Sequence, residues 1–164
     1  MIDFLVNLVQ NLPPELATFV LAMLPVTELR ASIPIGIGVF GLHPFSAFFF
    51  SVIADIVPAT LIMFFMKPVA VWLSERSKIF KKLFDWWFDH SLEKFVKKYE
   101  KYGLWALLIF VAIPLPITGA WTGATAAFLM NIPKKKALPY IFGGVFIAGV
   151  IVTLISIGAF RIFI

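Results

Sequence analysis

Three charged side chains stand inside otherwise apolar stretches of this sequence. Glu28 and Arg30 lie two residues apart within residues 24–36, and Asp55 lies 11 residues from either end of the apolar run 44–66. Near the centre of a bilayer each charge costs at least ~2.5 kcal/mol, so such residues are usually kept for a function. The planar guanidinium of Arg30 suits phosphate or carboxylate. A carboxyl group in a poorly hydrated place favours its neutral form, so Glu28 and Asp55 can exchange protons near neutral pH.

A structural role for the same charges stays open. Arg30 can pair permanently with Glu28 or Asp55 as a brace, because ions inside a membrane commonly pair with one another. Trp121 has two interpretations as well: its ring can stack on a substrate or simply fill a helix junction.

The spacing of the first pair predicts its local structure. On an α-helix, residues i and i+2 point to nearly opposite sides, whereas in an extended segment they share a face. Pro25 and Pro34 bracket the pair and both resist a continuous helix. We therefore predict that residues 25–33 are an unwound crossing between two short half-helices, with Pro25 and Pro34 at the turn.

A second apolar stretch is broken in the same manner. Residues 102–133 are interrupted at 112–123, where Pro114 and Pro116 are followed by Thr-Gly-Ala-Trp-Thr-Gly. Pro114 and Pro116 are predicted turn residues of a second hairpin. Trp121 lies just beyond them and is a candidate site residue.

Two helix starts are predicted at these breaks. Ser32 can cap the half-helix that contains Pro34, and Thr118 the one that begins near Gly119. Both N-termini would point into the membrane centre with their positive dipole ends, which favours an anion. Thr118 and Gly119 are therefore predicted to belong to the substrate site.

Composition assigns the chain to the integral membrane proteins. Of its 164 residues 61% are hydrophobic and 14% charged, and several runs reach spanning length. The net charge of +5 indicates membrane orientation rather than nucleic-acid binding. There is no cysteine, no cluster of side chains with metal-ligand spacing, no Gly-rich phosphate loop and no Gly-x-Ser-x-Gly motif. We predict a protein that is not an enzyme and carries no metal or other cofactor.

The apolar runs define an all-α fold in one membrane domain, 1–164. Its predicted segments are an interfacial helix (1–12), a first re-entrant hairpin (13–43), a transmembrane helix (44–66), a cytoplasmic amphipathic segment (67–101), a second re-entrant hairpin (102–133) and a second transmembrane helix (137–160).

Charge decides between a crossing and a hairpin at 102–133. Residues 67–101 carry nine Lys and Arg, and residues 134–136 are three lysines. If 102–133 crossed the membrane, these cations would lie on opposite sides, whereas a re-entrant hairpin places them together. The positive-inside rule favours the hairpin. The Lys-rich loop is then cytoplasmic, both termini lie outside, and the protein is a multi-pass protein of the plasma membrane.

An internal repeat fits this topology. A shift of 89 residues aligns Pro25 with Pro114 and Pro44 with Pro133, whereas a shift of 91 aligns Pro25 with Pro116, so the register stays open. The two hairpins enter from opposite faces. That is the inverted-repeat plan of many secondary transporters, whose broken segments meet at the midplane.

Two motifs carry a family resemblance. Residues 28–34, Glu-Leu-Arg-Ala-Ser-Ile-Pro, and residues 114–123, Pro-Leu-Pro-Ile-Thr-Gly-Ala-Trp-Thr-Gly, resemble the signatures of the putative small multidrug export protein family, which is akin to the DedA/VTT superfamily. The resemblance implies two opposed re-entrant hairpins, transport or scrambling of lipid-like substrates, and proton coupling. By that resemblance Glu28 and Arg30 are the motif acid and base of the first hairpin.

Three functions follow as hypotheses. The first is a transporter or flippase for an amphiphilic lipid-like or drug-like substrate, with protons as a candidate coupling ion. The second is an energy-independent lipid scramblase, and the third a membrane assembly protein whose charges only lock the fold. Expected partners are membrane lipids and an amphiphilic or lipid-phosphate substrate. Because one copy makes only a small bundle, a homo-oligomer is also expected.

Overall fold

The computed structural model describes residues 2–76, 101–115 and 118–163. Within these ranges the chain is helical and contains no strand. The helices are α1 (Ile2–Val9), α2 (Pro14–Met23), α3 (Glu28–Gly38), α4 (Pro44–Arg76), α5 (Leu104–Ala112), α6 (Ala120–Leu129) and α7 (Lys134–Phe163). The predicted all-α class is confirmed for the described part of the chain.

The helices form two units with the same order of elements. In each unit two short helices packed on each other precede one long helix: α2, α3 and α4 in the first, α5, α6 and α7 in the second. Each long helix packs on its own short helices and also on one from the other unit, α4 on α6 and α7 on α3. The turn between the two short helices is longer in the second unit. No single shift along the sequence therefore aligns both α2 with α5 and α3 with α6.

The two long helices have the length and composition of membrane spans. Pro44–Met66 has 23 residues with a mean hydropathy of 2.1, and Lys134–Ala159 has 26 residues with a mean hydropathy of 2.4. At ~1.5 Å per residue either can cross a ~30 Å hydrocarbon core. The predicted spans 44–66 and 137–160 lie on these helices.

The predictions for the flanking segments are tested only in part. Helix α1 lies within the predicted interfacial piece 1–12 and leaves Phe4 and Leu8 exposed. Its place at a membrane surface stays a prediction. Helix α4 runs to Arg76, ten residues into the predicted amphipathic segment 67–101. Residues 77–100 of that segment lie outside the described residues.

The predicted unwound crossing at 25–33 is wrong. Only residues 24–27 form a turn, and α3 begins at Glu28 and continues through Pro34, which is therefore not a turn residue. Pro25 does lie in the turn. Proline inside a transmembrane helix is tolerated because neighbouring helices and side chains satisfy the freed backbone groups.

The predicted cap at Ser32 is wrong for the same reason. Ser32 lies inside α3 and is fully buried, and its hydroxyl donates a 2.8 Å hydrogen bond to the hydroxyl of Ser51 on α4. A hydrogen bond between buried side chains is a common contact between membrane helices. Ser32 thus joins α3 to α4 instead of starting a helix.

Glycine sets the spacing between α5 and α7. A Cβ placed on Gly144 would come within 2.6 Å of the Val111 Cβ and 2.8 Å of the Leu108 carbonyl oxygen. The carbonyl belongs to the backbone of α5, so the two helices would have to separate. Small residues allow this close approach in membrane bundles.

We expect Gly144→Ala to lower the free energy of unfolding by about 1–3 kcal/mol through overpacking. Gly158→Ala is the matched control, because a Cβ there meets nothing within 4 Å. Thermal unfolding in detergent compares the two variants. Equal melting temperatures for both would contradict the close contact between α5 and α7.

Candidate functional site

Glu28 and Arg30 meet directly after the first turn of the chain (residues 24–27) because Glu28 has an unusual backbone conformation. Glu28 is the first residue of α3 and has a φ of 45°, while its N–H donates to the Leu24 carbonyl at 2.9 Å. Its side chain therefore leaves the backbone in a direction that an ordinary helical residue does not use. The Glu28 Oε2 lies 3.3 Å from the Arg30 Nη2. The pair meets as predicted, but at the start of a helix and not in an extended segment.

Arg30 connects the start of α3 to the second turn, which lies between the end of α5 at Ala112 and the start of α6 at Ala120. Its Nη1 donates to the Leu115 carbonyl, and its Nη2 donates to the carbonyl of Thr118 and, at 3.1 Å, to the Thr118 hydroxyl. Its side chain is 21% exposed. One guanidinium thus binds the Glu28 carboxylate and two carbonyls that are 85 and 88 residues away along the chain.

Thr118 organises the second turn without capping α6. Its hydroxyl lies 2.7 Å from the Ile113 carbonyl and 2.8 Å from the Leu115 carbonyl, either of which it can donate to, and it accepts from the Leu115 N–H at 3.3 Å. The N-cap of α6 is Gly119, with no side-chain cap bond. The predicted cap at Thr118 is therefore wrong. Pro114 lies in the turn, and Pro116 lies outside the described residues.

Carboxylates of the protein occupy the starts of both helices. The N–H of Trp121, in the first turn of α6, donates to the Glu28 Oε1 at 3.4 Å. The N–H of Leu29, in the first turn of α3, donates to the Asp55 carboxyl group. A negative charge at a helix N-terminus is stabilised by the unpaired N–H groups and the helix dipole. Each helix start is thus covered by an acid from another element.

Asp55, on α4, lies next to the charged pair and the start of α6. Its side chain is 1% exposed, and it borders a small void together with Glu28, Arg30 and Gly119. Its Oδ1 has no hydrogen-bond partner among the described residues. A buried polar oxygen without a partner is costly, so such a group in a native site calls for a functional explanation.

A cavity of about 520 Å³ opens between the two turns. Its walls are mainly small apolar side chains, threonines and the charged pair, and the lining residues are Pro25, Val26, Thr27, Glu28, Arg30, Ala31, Pro114, Thr118, Trp121, Thr122 and Thr125. A concave, mostly apolar cavity with a few convergent polar groups is the usual form of a small-molecule site. The cavity is therefore the candidate substrate site.

Trp121 lies at the helix junction and also borders the cavity. It is half-buried, packs against the main apolar core and also lines the cavity. Its indole Nε1 is buried and has no partner among the described residues. The ring can therefore fill the junction and still offer a surface to a ligand.

The structure brings five of the predicted substrate-site residues into one cluster: Glu28, Arg30, Thr118, Gly119 and Trp121. Asp55 adjoins this cluster, because it borders the same small void as Glu28, Arg30 and Gly119. Two features of the site were not predicted from the sequence: the Leu115 carbonyl as a partner of Arg30, and Thr125 in the cavity lining. The spacing of Thr125 was the available signal, since it follows Trp121 by one helical turn and shares its face.

The fold and the site define a class of protein: an integral membrane protein, helical in its described residues, whose two long spans hold a charged cluster between paired short helices. The sequence profile described as "Putative small multi-drug export protein" matches residues 28–151, which include α3, the second turn, all of α4 and the first part of α7. The chain belongs to this family, as the two motifs predicted. Kinship with the DedA/VTT superfamily stays a prediction. Comparison with curated proteins and with solved structures finds no match.

Proposed function

We propose that this protein is a transporter that moves an amphiphilic molecule across the membrane through the cavity between the two turns. The observation that carries the proposal is the set of hydrogen bonds from Arg30 to the second turn, beside a cavity of about 520 Å³. A charged contact between two broken segments is where transporters of this type place the substrate. The export family to which the chain belongs supports a transport role over catalysis.

The lengths of the short helices support a pair of re-entrant hairpins. Helices α2, α3, α5 and α6 have 10, 11, 9 and 10 residues. At ~1.5 Å per residue each is roughly 15 Å long, about half of the hydrocarbon core. A helix pair of this length enters the membrane and returns to the same face. In our proposal the hairpins enter from opposite faces and their turns meet at the depth of Asp55.

The two acids support proton coupling. Glu28 bonds both Arg30 and the start of α6, while Asp55 holds one carboxyl oxygen without a partner. Protonation of Glu28 would remove its ion pair with Arg30 and weaken the link between the turns. In our proposal this exchange opens and closes the cavity.

A lipid scramblase is the second candidate function. Val26 in the first turn and Leu115 in the second are both more than half exposed and apolar. Apolar side chains at both turns suit contact with lipid tails at the cavity mouth. A scramblase would move lipid in both directions without an ion gradient, which separates it from the first candidate.

Reconstituted liposomes test the transport proposal. We expect wild-type protein to accelerate movement of a fluorescent amphiphile when a pH gradient is imposed, and we expect Glu28→Gln and Asp55→Asn to remove the dependence on that gradient. Lys135→Gln, a change at an exposed residue, is the control. Lipid movement that is equally fast with and without the gradient would favour the scramblase. Gradient-driven movement that survives in both acid variants would exclude them from coupling.

Single cysteines test the topology. The chain has none of its own, so Ser91→Cys and Ile164→Cys each give one labelling site. We expect an impermeant maleimide to label position 91 only from the cytoplasmic side and position 164 only from the outside, because the Lys-rich segment stays inside. Labelling of both from one side would contradict two opposed hairpins.

A further inference from the structure

We propose that the cavity between the two turns binds a lipophilic organic cation, and does not bind a phosphate or a carboxylate. This inference rests on the proposed transport function for its biological meaning, but the binding preference itself is a separate property of the cavity. It follows from which hydrogen-bond donors and charges the lining residues still offer to a ligand.

The guanidinium is the first donor to consider, and the protein itself already uses it. Nη1 of Arg30 bonds the Leu115 carbonyl, and Nη2 bonds Thr118 and the Glu28 carboxylate. Recognition of a phosphate by arginine is strong when the planar fork binds it through two parallel N–H groups. The fork cannot do so here without releasing the second turn.

The N-termini of α3 and α6 also bind acidic side chains of the protein itself. The carboxylate of Glu28 accepts from the Trp121 N–H at the start of α6, and the carboxyl of Asp55 accepts from the Leu29 N–H at the start of α3. An anionic ligand would have to displace one of these acids. One N–H at each of these two helix starts is therefore already bound to an acid of the protein.

The threonines of the lining present oxygen lone pairs and not protons. Each hydroxyl has a backbone carbonyl within reach as an acceptor for its single proton: Leu21 for Thr27, Ile113 or Leu115 for Thr118, Gly119 for Thr122 and Trp121 for Thr125. A hydroxyl that donates its proton can still accept. Thr118 already accepts from the Arg30 Nη2 and the Leu115 N–H, so the acceptors left to a ligand are the hydroxyls of Thr27, Thr122 and Thr125.

The other walls are poor in donors as well. Pro25 and Pro114 have no backbone N–H, and the Nε1 of Trp121 is buried. Aromatic faces attract cations, and tryptophan does so most strongly. The Trp121 ring and the apolar side chains of Val26 and Ala31 therefore suit a cation with an apolar body.

The charge balance points in the same direction. Two acids, Glu28 and Asp55, stand against one cation, Arg30, so the cluster is neutral when one acid is ionised and has a formal charge of −1 when both are. In a poorly hydrated site this charge attracts a cation and repels an anion far more than it would in water. An apolar cation of matching size can therefore bind where a phosphate cannot.

Tetraphenylphosphonium and tetraphenylborate test the proposal, because the two ions have nearly the same size and opposite charge. Binding to the purified full chain in a neutral maltoside detergent is measured by equilibrium dialysis. We expect the phosphonium to bind at least about tenfold more tightly, equivalent to ~1.4 kcal/mol. Val26→Phe should weaken phosphonium binding by narrowing the cavity. Val39→Phe should not, since Val39 is equally exposed, at 62% against 64%, and lies outside the lining.

Glu28→Gln provides the decisive variant. Removing this acid lowers the negative charge of the cluster and frees one contact of Arg30, so phosphonium should bind about tenfold more weakly and borate more tightly than in wild type. Equal binding of the two ions, tighter binding of borate, or no binding of either to wild type would overturn the proposal. Selective phosphonium binding without movement in liposomes would instead sink the transport function and leave this inference standing.

Competition between phosphonium and two lipids for the cavity shows whether the natural cation is a lipid headgroup or a soluble molecule. Sphingosine is a lipid amine that carries an ammonium group and no phosphate, whereas short-chain phosphatidylglycerol carries a net negative charge. Displacement of phosphonium by the first alone identifies an aminolipid headgroup as the natural ligand class. Displacement by neither identifies a soluble lipophilic cation. Displacement by phosphatidylglycerol would show that the cavity accepts an anionic lipid and would contradict the proposal.

Discussion

Gly119→Ala is expected to destabilise the protein by about 3 kcal/mol or more. Gly119 has φ 130° and ψ −169°, a backbone region essentially restricted to glycine. A Cβ at this position would overlap the Glu28 carboxylate and lie 2.5 Å from the Arg30 Nη2. Neither group can retreat freely, because Glu28 is buried and Arg30 is held by carbonyls of the second turn.

Gly41→Ala is the matched control for this prediction. Gly41 also has a positive φ, 67°, but a Cβ there meets nothing within 4 Å. This variant should lose about 1–2 kcal/mol of folding stability, from backbone strain alone. Thermal and denaturant unfolding in detergent give both values, and phosphonium binding reports the site. If the two variants lose the same stability, the close contact with Glu28 and Arg30 is not the reason why position 119 requires glycine.

The membrane spans could be predicted from the sequence because their signal is local. The apolar runs 44–66 and 137–160 each carry enough consecutive hydrophobic residues to require a helix across a bilayer. The predicted breaks near Pro25 and Pro114 were also local, since proline restricts its own φ and the residue before it. Both prolines do lie between paired short helices.

The conformation at Glu28 could not be predicted in this way. The spacing of Glu28 and Arg30 suggested an extended segment, because a regular helix separates residues i and i+2. The chain instead places one residue at φ 45° and begins the helix there. Positive φ at a glutamate is uncommon and has no sequence signature. Its side chain is bound by the nearby guanidinium of Arg30 and by the N–H of Trp121, and the latter is 93 residues away in the sequence.

The caps of α3 and α6 were missed for a related reason. Capping was expected from Ser32 and Thr118, the polar residues nearest in sequence, because side-chain caps are usually local. The acids that cover these helix starts come from other elements: Asp55 of α4 covers the start of α3, and Glu28 of α3 covers the start of α6. A sequence shows that a buried acid needs a donor, but only the fold shows which N–H supplies it.

Arg30→Gln is the second change with a large expected effect. The substitution leaves the Glu28 carboxylate without its cation and removes the N–H groups that bind the Leu115 and Thr118 carbonyls. Breaking a buried ion pair costs about 3–5 kcal/mol because the remaining charge has no compensation. We expect a loss in that range and no transport. Lys135→Gln removes an exposed positive charge and is the control.

Three further variants separate the contributions of Arg30. Arg30→Lys keeps the charge beside Glu28, but one ammonium group cannot span both carbonyls, so we expect a loss of about 1–3 kcal/mol. The double change Arg30→Gln with Glu28→Gln removes the unpaired carboxylate and should recover part of the loss. Adding Asp55→Asn to Arg30→Gln should recover less stability. In the single Arg30→Gln variant Asp55 still has the Leu29 N–H as a partner, so removing its carboxylate relieves less. Full recovery in the Glu28 double variant, with normal transport, would show that the bonds from Arg30 to the second turn contribute nothing. We expect partial recovery of stability and no transport, since those bonds join the two turns beside the cavity.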